Sequence, residues 1–259
     1  MRLTILGSSG GYPGPNNPSS GFLLEHAGAR LWIDAGHGTF GALQRIEDFT
    51  RIDAILVSHV HADHCVDLYG LNIALRFHEQ GVLRKRLYCP QEVWDRAPLL
   101  LGDPPEGEEG FRQSFDFQPV EAGGVIEVAG LRVSFLRTDH PNYCLAMRFE
   151  SDEGILTYSA DTGPGADLAG FARGSDLLLC EATYQEGLAG APVHLTARQA
   201  GETALRAGAR GLVLTHVWPP FDPARSVEEA RAAGGSSGDT GIHVEWAAPG
   251  GVFEVRRPG

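Results

Sequence analysis

Six consecutive residues, His59-Val60-His61-Ala62-Asp63-His64, constrain this chain more than any other stretch. They follow the apolar run Ala54-Ile55-Leu56-Val57-Ser58 and precede Val66-Asp67-Leu68-Tyr69-Gly70-Leu71. The pattern reads as a buried strand that ends in a tight loop and then enters a helix. In extended backbone, side chains at i and i+2 point the same way, so His59 and His61 can share one ion. Asp63 and His64 then face a second position beside it. Imidazole nitrogen with carboxylate oxygen suits zinc first, with manganese or iron as the other fits. A His-rich surface loop is the plain alternative, and the buried strand leading into the motif speaks against it.

The chain has 259 residues, 42% of them hydrophobic, and no block of like charges. That is enough to bury a large core, and residues 1–259 read as one domain. Met1 to Gly7 reads as a short strand, not as a signal peptide, because no long apolar stretch follows a charged start. No run reaches the ~18 apolar residues of a membrane helix, so no membrane association is expected. Cys65, Cys89, Cys144 and Cys180 lack C-x-x-C spacing and read as reduced thiols of a cytoplasmic protein. Cys65, beside His64, reads as a buried thiol before it reads as a ligand. The formal net charge of -12 weakens the case for a large nucleic-acid partner, since phosphate contacts supply most non-specific affinity. A local basic patch would still act inside an acidic protein. Arg84-Lys85-Arg86 is the only tight basic cluster, and it reads as a solvated strand end.

Residues 7–18 hold too much Gly and Pro for a helix or a central strand, so they form an ordered loop. The loop is placed near the strand-end face where α/β sites form. Residues 22–25 and 30–34 read as a hairpin turning at Ala27-Gly28. Helices are expected over 68–77, 91–101, 196–207 and 226–233, the third capped by Thr196. The acidic, Gly-rich stretch 106–110 is expected to be the most mobile. Strands dominate from 115 to 158 and alternate with helices afterwards. Two β-rich halves, each followed by helices, imply two sheets packed face to face with helices outside.

Three later strands share one grammar, an apolar run ending in a polar residue that can reach the motif. Phe135-Leu136-Arg137-Thr138-Asp139-His140 delivers His140, Leu156-Thr157-Tyr158-Ser159-Ala160-Asp161 delivers Asp161, and Leu212-Val213-Leu214-Thr215-His216 delivers His216. A lone His at a strand end is more often structural than a ligand. Three such ends beside an H-x-H-x-D-H motif reverse that expectation.

With these residues the chain resembles the metallo-β-lactamase fold superfamily, essentially end to end. The resemblance implies an α/β fold, a four-layer αββα sandwich with the metals at its edge. It implies that His59, His61 and His140 hold a first divalent ion, that Asp63, His64 and His216 hold a second, and that Asp161 bridges both. Asp34, in Ile33-Asp34-Ala35-Gly36, matches the superfamily's buried aspartate that props the metal loop by hydrogen bonds.

Within the superfamily the chain is most similar to the ribonuclease Z group. Cys180-Glu181-Ala182-Thr183 resembles its His-Glu-Ala-Thr motif, and His194-Leu195-Thr196 its His-Ser-Thr motif. The resemblance implies that Glu181 orients His194, which serves the leaving group. A helix-flanking surface His is the plainer reading of His194. Two departures stand out. The group's Pro-x-Lys-x-Arg-Asn loop falls on Pro13, Pro15, Asn17 and Pro18, so both basic residues are absent. The long arm that grips tRNA, inserted in that group between the third metal His and the bridging Asp, has no room between His140 and Asp161. A homodimer is implied by the resemblance alone.

The expected reaction is phosphodiester hydrolysis through a metal-bridging hydroxide, with Asp63 orienting the nucleophile and His194 protonating the leaving oxygen. Four readings compete. A small phosphodiesterase acting on nucleotides, cyclic nucleotides or RNA ends stands first, with Tyr12 and Trp218 able to stack a base; structural packing is the plainer view of Trp218. A tRNA 3′-end endonuclease, a hydrolase of a neutral ester, lactam or thioester, and a non-catalytic metal-binding protein follow.

Overall fold

Along Leu131-Arg132-Val133-Ser134-Phe135 every second side chain is buried, as a strand with one covered face requires. Leu177 to Glu181, in contrast, is buried at every position, the mark of a strand covered on both faces. These two patterns build the molecule. The structure is a computed structural model that describes residues 1–101, 110–187, 192–233 and 241–257. The stretch expected to be mobile, 106–110, lies outside the described residues apart from Gly110.

The strands are β1 (Arg2–Gly7), β2 (Gly21–His26), β3 (Ala29–Ile33), β4 (Ala54–Leu56), β5 (Lys85–Cys89), β6 (Phe115–Pro119), β7 (Val125–Val128), β8 (Leu131–Arg137), β9 (Leu145–Glu150), β10 (Ile155–Tyr158), β11 (Leu177–Glu181), β12 (Gly211–Thr215), β13 (His243–Trp246) and β14 (Val252–Glu254). They form two seven-stranded sheets, ordered β14-β1-β2-β3-β4-β5-β6 and β13-β12-β11-β10-β9-β8-β7. Each sheet is antiparallel in one part and parallel in the other, with β3 to β6 parallel in the first and β10 to β13 parallel in the second. The parallel parts require crossovers, which carry the helices α1 (Thr39–Gln44), α2 (Ala62–Cys65), α3 (Leu68–Arg76), α4 (Gln91–Arg96), α5 (Leu168–Phe171), α6 (Ala197–Ala207) and α7 (Pro223–Arg231).

The alternation of side chains sorts the core into three slabs. Leu3, Phe22, Leu31 and Ile33 meet Val133, Met147, Phe149 and Leu179 between the sheets. Trp32, Ile55 and Leu87 face outward from the first sheet against Leu43, Leu68, Leu71 and Leu75. Leu178, Leu212 and Leu214 face outward from the second sheet against Ala197, Ala200 and Ala204. The result is the αββα sandwich that the sequence implies.

Helix boundaries follow local chemistry. Thr196 caps α6 through a reciprocal pair: its hydroxyl accepts from Gln199 N at 3.2 Å, and Gln199 Oε1 accepts from Thr196 N at 2.8 Å. The helix expected over 91–101 is shorter. α4 stops at Arg96 and residues 97–101 tighten into a 3-10 turn, because Pro98 lacks an N–H and its ring crowds the preceding turn. The helix expected from 226 opens earlier, at Pro223, where Asp222 accepts from Ala224 N at 3.0 Å and proline suits the first turn. Among the described residues no helix is long and apolar enough to cross a membrane.

The ends of β3, β4, β8, β10, β11 and β12 converge on one edge of the sandwich. Asp34, Ala160 and His216, just beyond three of these ends, all have positive φ (53°, 49° and 56°). Such left-handed residues turn the chain sharply and cluster where structure is held for function.

Candidate metal centre

The loop after β4 is fixed from below by Asp34, which is fully buried. Its Oδ1 accepts from Ser58 N at 2.7 Å. Its Oδ2 accepts from Ser58 Oγ at 2.9 Å, Tyr158 OH at 2.7 Å and His64 Nδ1 at 2.7 Å. Four donors on one carboxylate satisfy both its oxygens and hold it in place. Gly36 lets the β3 loop pass close to the motif, since a Cβ there would stand 2.0 Å from Asp63 O.

These braces also decide which ring nitrogen each histidine turns to the centre. Ser58 gives its only proton to Asp34, so His59 Nδ1, 3.0 Å from Ser58 Oγ, must be the donor in that contact. His64 Nδ1 donates to Asp34. His140 Nδ1 lies 3.4 Å from Val193 O, which can only accept. In the neutral form of each ring Nε2 is therefore the nitrogen with the free lone pair, the state a metal requires.

The free atoms gather in two groups. One ligand atom from each of His59, His61, His140 and Asp161 lies within 4.8 Å of the others, and so do those of Asp63, His64 and His216. His140 Nε2 is 3.2 Å from His61 Nδ1. Asp161 stands between the groups, its Oδ1 3.1 Å from His64 Nε2 and 3.4 Å from His216 Nε2, its Oδ2 3.7 Å from His59 Nε2. Asp63 Oδ2 is 3.1 Å from His216 Nε2 and accepts from Gly11 N at 2.8 Å. All seven ligand candidates are therefore brought to one edge.

The donor set fits two divalent ions. His59 Nε2, His64 Nε2 and Asp161 Oδ1 are buried and make no aligned hydrogen bond among the described residues, although they crowd one another. Convergent lone pairs without a shared proton are what a cation resolves. Burial, with the His64 charge next, pushes His59 well below its ordinary value, so it is neutral. Burial also lowers His140. Burial opposes charge on Asp63 and Asp161, but the adjacent His64 and His216 hold both carboxyls well below the usual range. Burial opposes charge on His64 too, but Asp161, Asp63 and Asp34 override it and push the imidazolium well above its ordinary value. His59 is thus neutral, Asp63 and Asp161 are ionised, and His64 carries a proton that a bound cation would displace.

Beside these groups stands Glu181, at the end of β11 and buried. Its Oε1 accepts from His194 Nδ1 at 2.9 Å and Thr162 N at 2.6 Å. Its Oε2 accepts from Thr183 Oγ at 2.7 Å and Leu195 N at 3.1 Å. Burial works against a charged His194, but Glu181 overrides it and raises the imidazolium to about 9. His194 also lies within reach of Asp161 and His216, its ring stacked on His216 at 5.3 Å. The sequence motifs therefore meet in space, with His194 tethered to Glu181 and not free at a helix flank.

The other sequence candidates resolve as follows. Cys65 Sγ donates to Val60 O at 3.3 Å, and burial pushes its thiol up to about 12, so it stays protonated. Arg84 and Lys85 spend their charges on the carbonyls of Phe115 and Thr50. Ser58, Tyr158, Thr183 and Gly11 were not legible as site residues. Only Thr183, inside Cys180-Glu181-Ala182-Thr183, and Ser58, next to the motif, carried any signal.

Residues 29–217 match the family described as a beta-lactamase superfamily domain. The chain belongs to the beta-lactamase superfamily. An uncharacterized protein of Mycobacterium tuberculosis (strain H37Rv) is 36% identical over 100% of this chain and 94% of its own length. A protein named ribonuclease Z, of Kineococcus radiotolerans, is 30% identical over 94% of this chain and 92% of its own length. Among solved structures, the metallo-beta-lactamase fold protein YhfI of Bacillus subtilis superposes with a TM-score of 0.85, at 25% identity over 98% of this chain and 99% of that one. The superfamily's sandwich and the fold of this chain are the same.

Proposed function

We propose that this superfamily member is a dinuclear-metal hydrolase, a phosphodiesterase acting on nucleotides, cyclic nucleotides or RNA ends, with zinc as its metal. His59, His61 and His140 would hold one ion, Asp63, His64 and His216 the other, and Asp161 both. When bound, two such ions supply Lewis acidity toward phosphoryl oxygens and lower the pKa of a bound water to about 7.

The observation that carries the reading is the Glu181–His194 pair, 2.9 Å apart and next to both ligand groups. An alkoxide leaving from a phosphodiester needs a proton, and His194 is protonated at neutral pH because Glu181 raises it to about 9. With Nδ1 engaged, Nε2 is the nitrogen left to deliver that proton. The same positive charge favours an anionic phosphoryl centre over a neutral ester or lactam. Asp63 Oδ2, held by Gly11 N, is positioned to orient the attacking water. The relative named ribonuclease Z adds support for phosphodiester chemistry.

A tRNA 3′-end endonuclease is the second reading, favoured by that same relative. Against it, β9 and β10 fill the chain between His140 and Asp161, and the 13–18 loop has no Lys or Arg. The deciding experiment is hydrolysis of bis(p-nitrophenyl) phosphate by metal-loaded protein, beside a p-nitrophenyl ester and a β-lactam. Phosphodiester cleavage that disappears in Asp63→Ala supports the proposal. Cleavage of the ester or lactam alone overturns it, and tight, steeply salt-dependent binding of pre-tRNA would install the second reading.

A further inference from the structure

The segment after His216 reads Val217-Trp218-Pro219-Pro220-Phe221, and it faces the Gly/Pro loop that precedes β2. Between them lies a cavity of about 140 Å³ walled by Trp218, Phe221, Pro15 and Pro219, with Asn17 and Trp246 of β13 also lining it. None of the described residues that line this cavity is charged. A phosphate therefore finds no cation inside it to offset its charge, whereas a neutral, flat ring finds aromatic and proline walls.

Two features of the walls point to such a ring. Trp218 remains 39% exposed although it meets Phe221 edge-on at 5.9 Å and Tyr184 at 6.1 Å. Its packing is thus incomplete, which leaves indole surface for another partner. Trp246 Nε1 is buried and has no hydrogen-bond partner among the described residues. A buried N–H without an acceptor is costly, and an acceptor on a bound heterocycle would remove the cost.

The cavity is also tied to the metal centre. Gly10 N donates to Val217 O at 3.1 Å, and the next residue, Gly11, donates to Asp63 Oδ2. On the other flank Tyr184 meets both Trp218 and, at 5.8 Å, the ring of His194. The walls of the cavity therefore adjoin the residues that gather at the centre.

We propose that the cavity bounded by Trp218, Phe221 and Trp246 is the subsite for the base of a nucleotide substrate. The ring stacks against Trp218, and a ring nitrogen or carbonyl accepts from Trp246 Nε1. This deepens the phosphodiesterase reading and rests on it for the identity of the substrate.

The test is equilibrium binding to metal-loaded protein, read by calorimetry, of adenosine 5′-monophosphate and of ribose 5-phosphate, which lacks the base. The nucleotide is expected to bind at least about tenfold more tightly, the scale of one base–aromatic stack. Trp218→Ala should erase that preference and Trp218→Tyr should keep most of it. Trp246→Phe, which retains a ring but not the N–H, should weaken the nucleotide severalfold and leave ribose 5-phosphate unchanged. Equal affinities in the unaltered protein, or a preference that survives Trp218→Ala, overturns the subsite. Absence of phosphodiester turnover in the unaltered protein would instead overturn the reaction, and the binding comparison would still decide the subsite.

Discussion

Thr183 Oγ lies 2.8 Å from Nδ1 of His216. The same oxygen is 2.7 Å from Glu181 Oε2, a carboxylate that can only accept. The single hydroxyl proton therefore goes to Glu181, and His216 must donate through Nδ1. Its Nε2 is thereby fixed as the free nitrogen facing Asp63 and Asp161. One hydroxyl thus links a ligand candidate of the second metal position to the carboxylate that charges His194.

Thr183→Val keeps the shape and removes both bonds. Affinity for the second divalent ion should fall about 10–100-fold, the usual cost of losing an outer partner of a metal-binding histidine. Thr183→Ser should restore most of it. Calorimetric zinc titration of the two variants checks this, and an unchanged second binding step in the valine variant would refute the role.

Asp34 offers a stability prediction separate from metal. Removing its carboxylate strands the Ser58 N–H, Ser58 hydroxyl, His64 imidazole and Tyr158 hydroxyl, all buried. Asp34→Ala should cost about 3–5 kcal/mol, the range for breaking a buried charged network. Asp34→Asn should cost less, since Asn tolerates the left-handed backbone of this position, where φ is 53°. Urea unfolding of metal-free protein measures both without contribution from bound ions. A loss below about 1 kcal/mol for Asp34→Ala would mean the brace is redundant.

The raised His194 sets a pH dependence. A proton donor near 9 is loaded at neutral pH and empties above that value. Turnover of an alkyl phosphodiester should therefore hold steady through pH 8 and fall tenfold per pH unit above about 9. His194→Ala should remove that alkaline limb and cost about 10²–10⁴-fold on an alkoxide leaving group, but far less on p-nitrophenolate. Equal losses on both leaving groups would remove His194 from the acid role. Stability carries the same sign. The folded value is raised, so the pair stabilises fully below pH about 6.5, and that contribution is lost as pH rises through about 9.

Much of this site was legible because its residues sit where the sequence changes character. His59, His140, Asp161 and His216 each end an apolar run, and a strand end is where backbone stops and chemistry starts. The sandwich was legible for the same reason, since alternating and continuous apolar strands bury one face or two. What could not be read were contacts across long separations. Tyr158 joins Asp34 across 124 residues of sequence, and no spacing marks a tyrosine as a carboxylate's partner. The cavity beside Trp218 needed Trp246 and the Gly/Pro loop in one place. The shortened α4 was missed because an apolar helical period outweighed one proline.

Metal removal should act on fold and function together. Without ions, His59 Nε2, His64 Nε2 and Asp161 Oδ1 remain buried without aligned hydrogen bonds among the described residues, and two ionised carboxylates, Asp63 and Asp161, stand near them. Ions that bind only the folded chain add about 2.7 kcal/mol at a hundredfold excess over Kd. Saturating zinc should therefore raise Tm by several degrees over chelator-treated protein. Asp161→Asn, which touches both ligand groups, should abolish phosphodiester turnover and most of that rise. Asp63→Ala, which touches one group, should abolish turnover yet keep part of it, because the four-residue group with His59, His61 and His140 is intact. Differential scanning fluorimetry of the three proteins with zinc and with chelator gives the comparison. An unaltered protein whose Tm ignores zinc, or an Asp161→Asn variant that responds as fully as the parent, would show that these residues do not hold the ions.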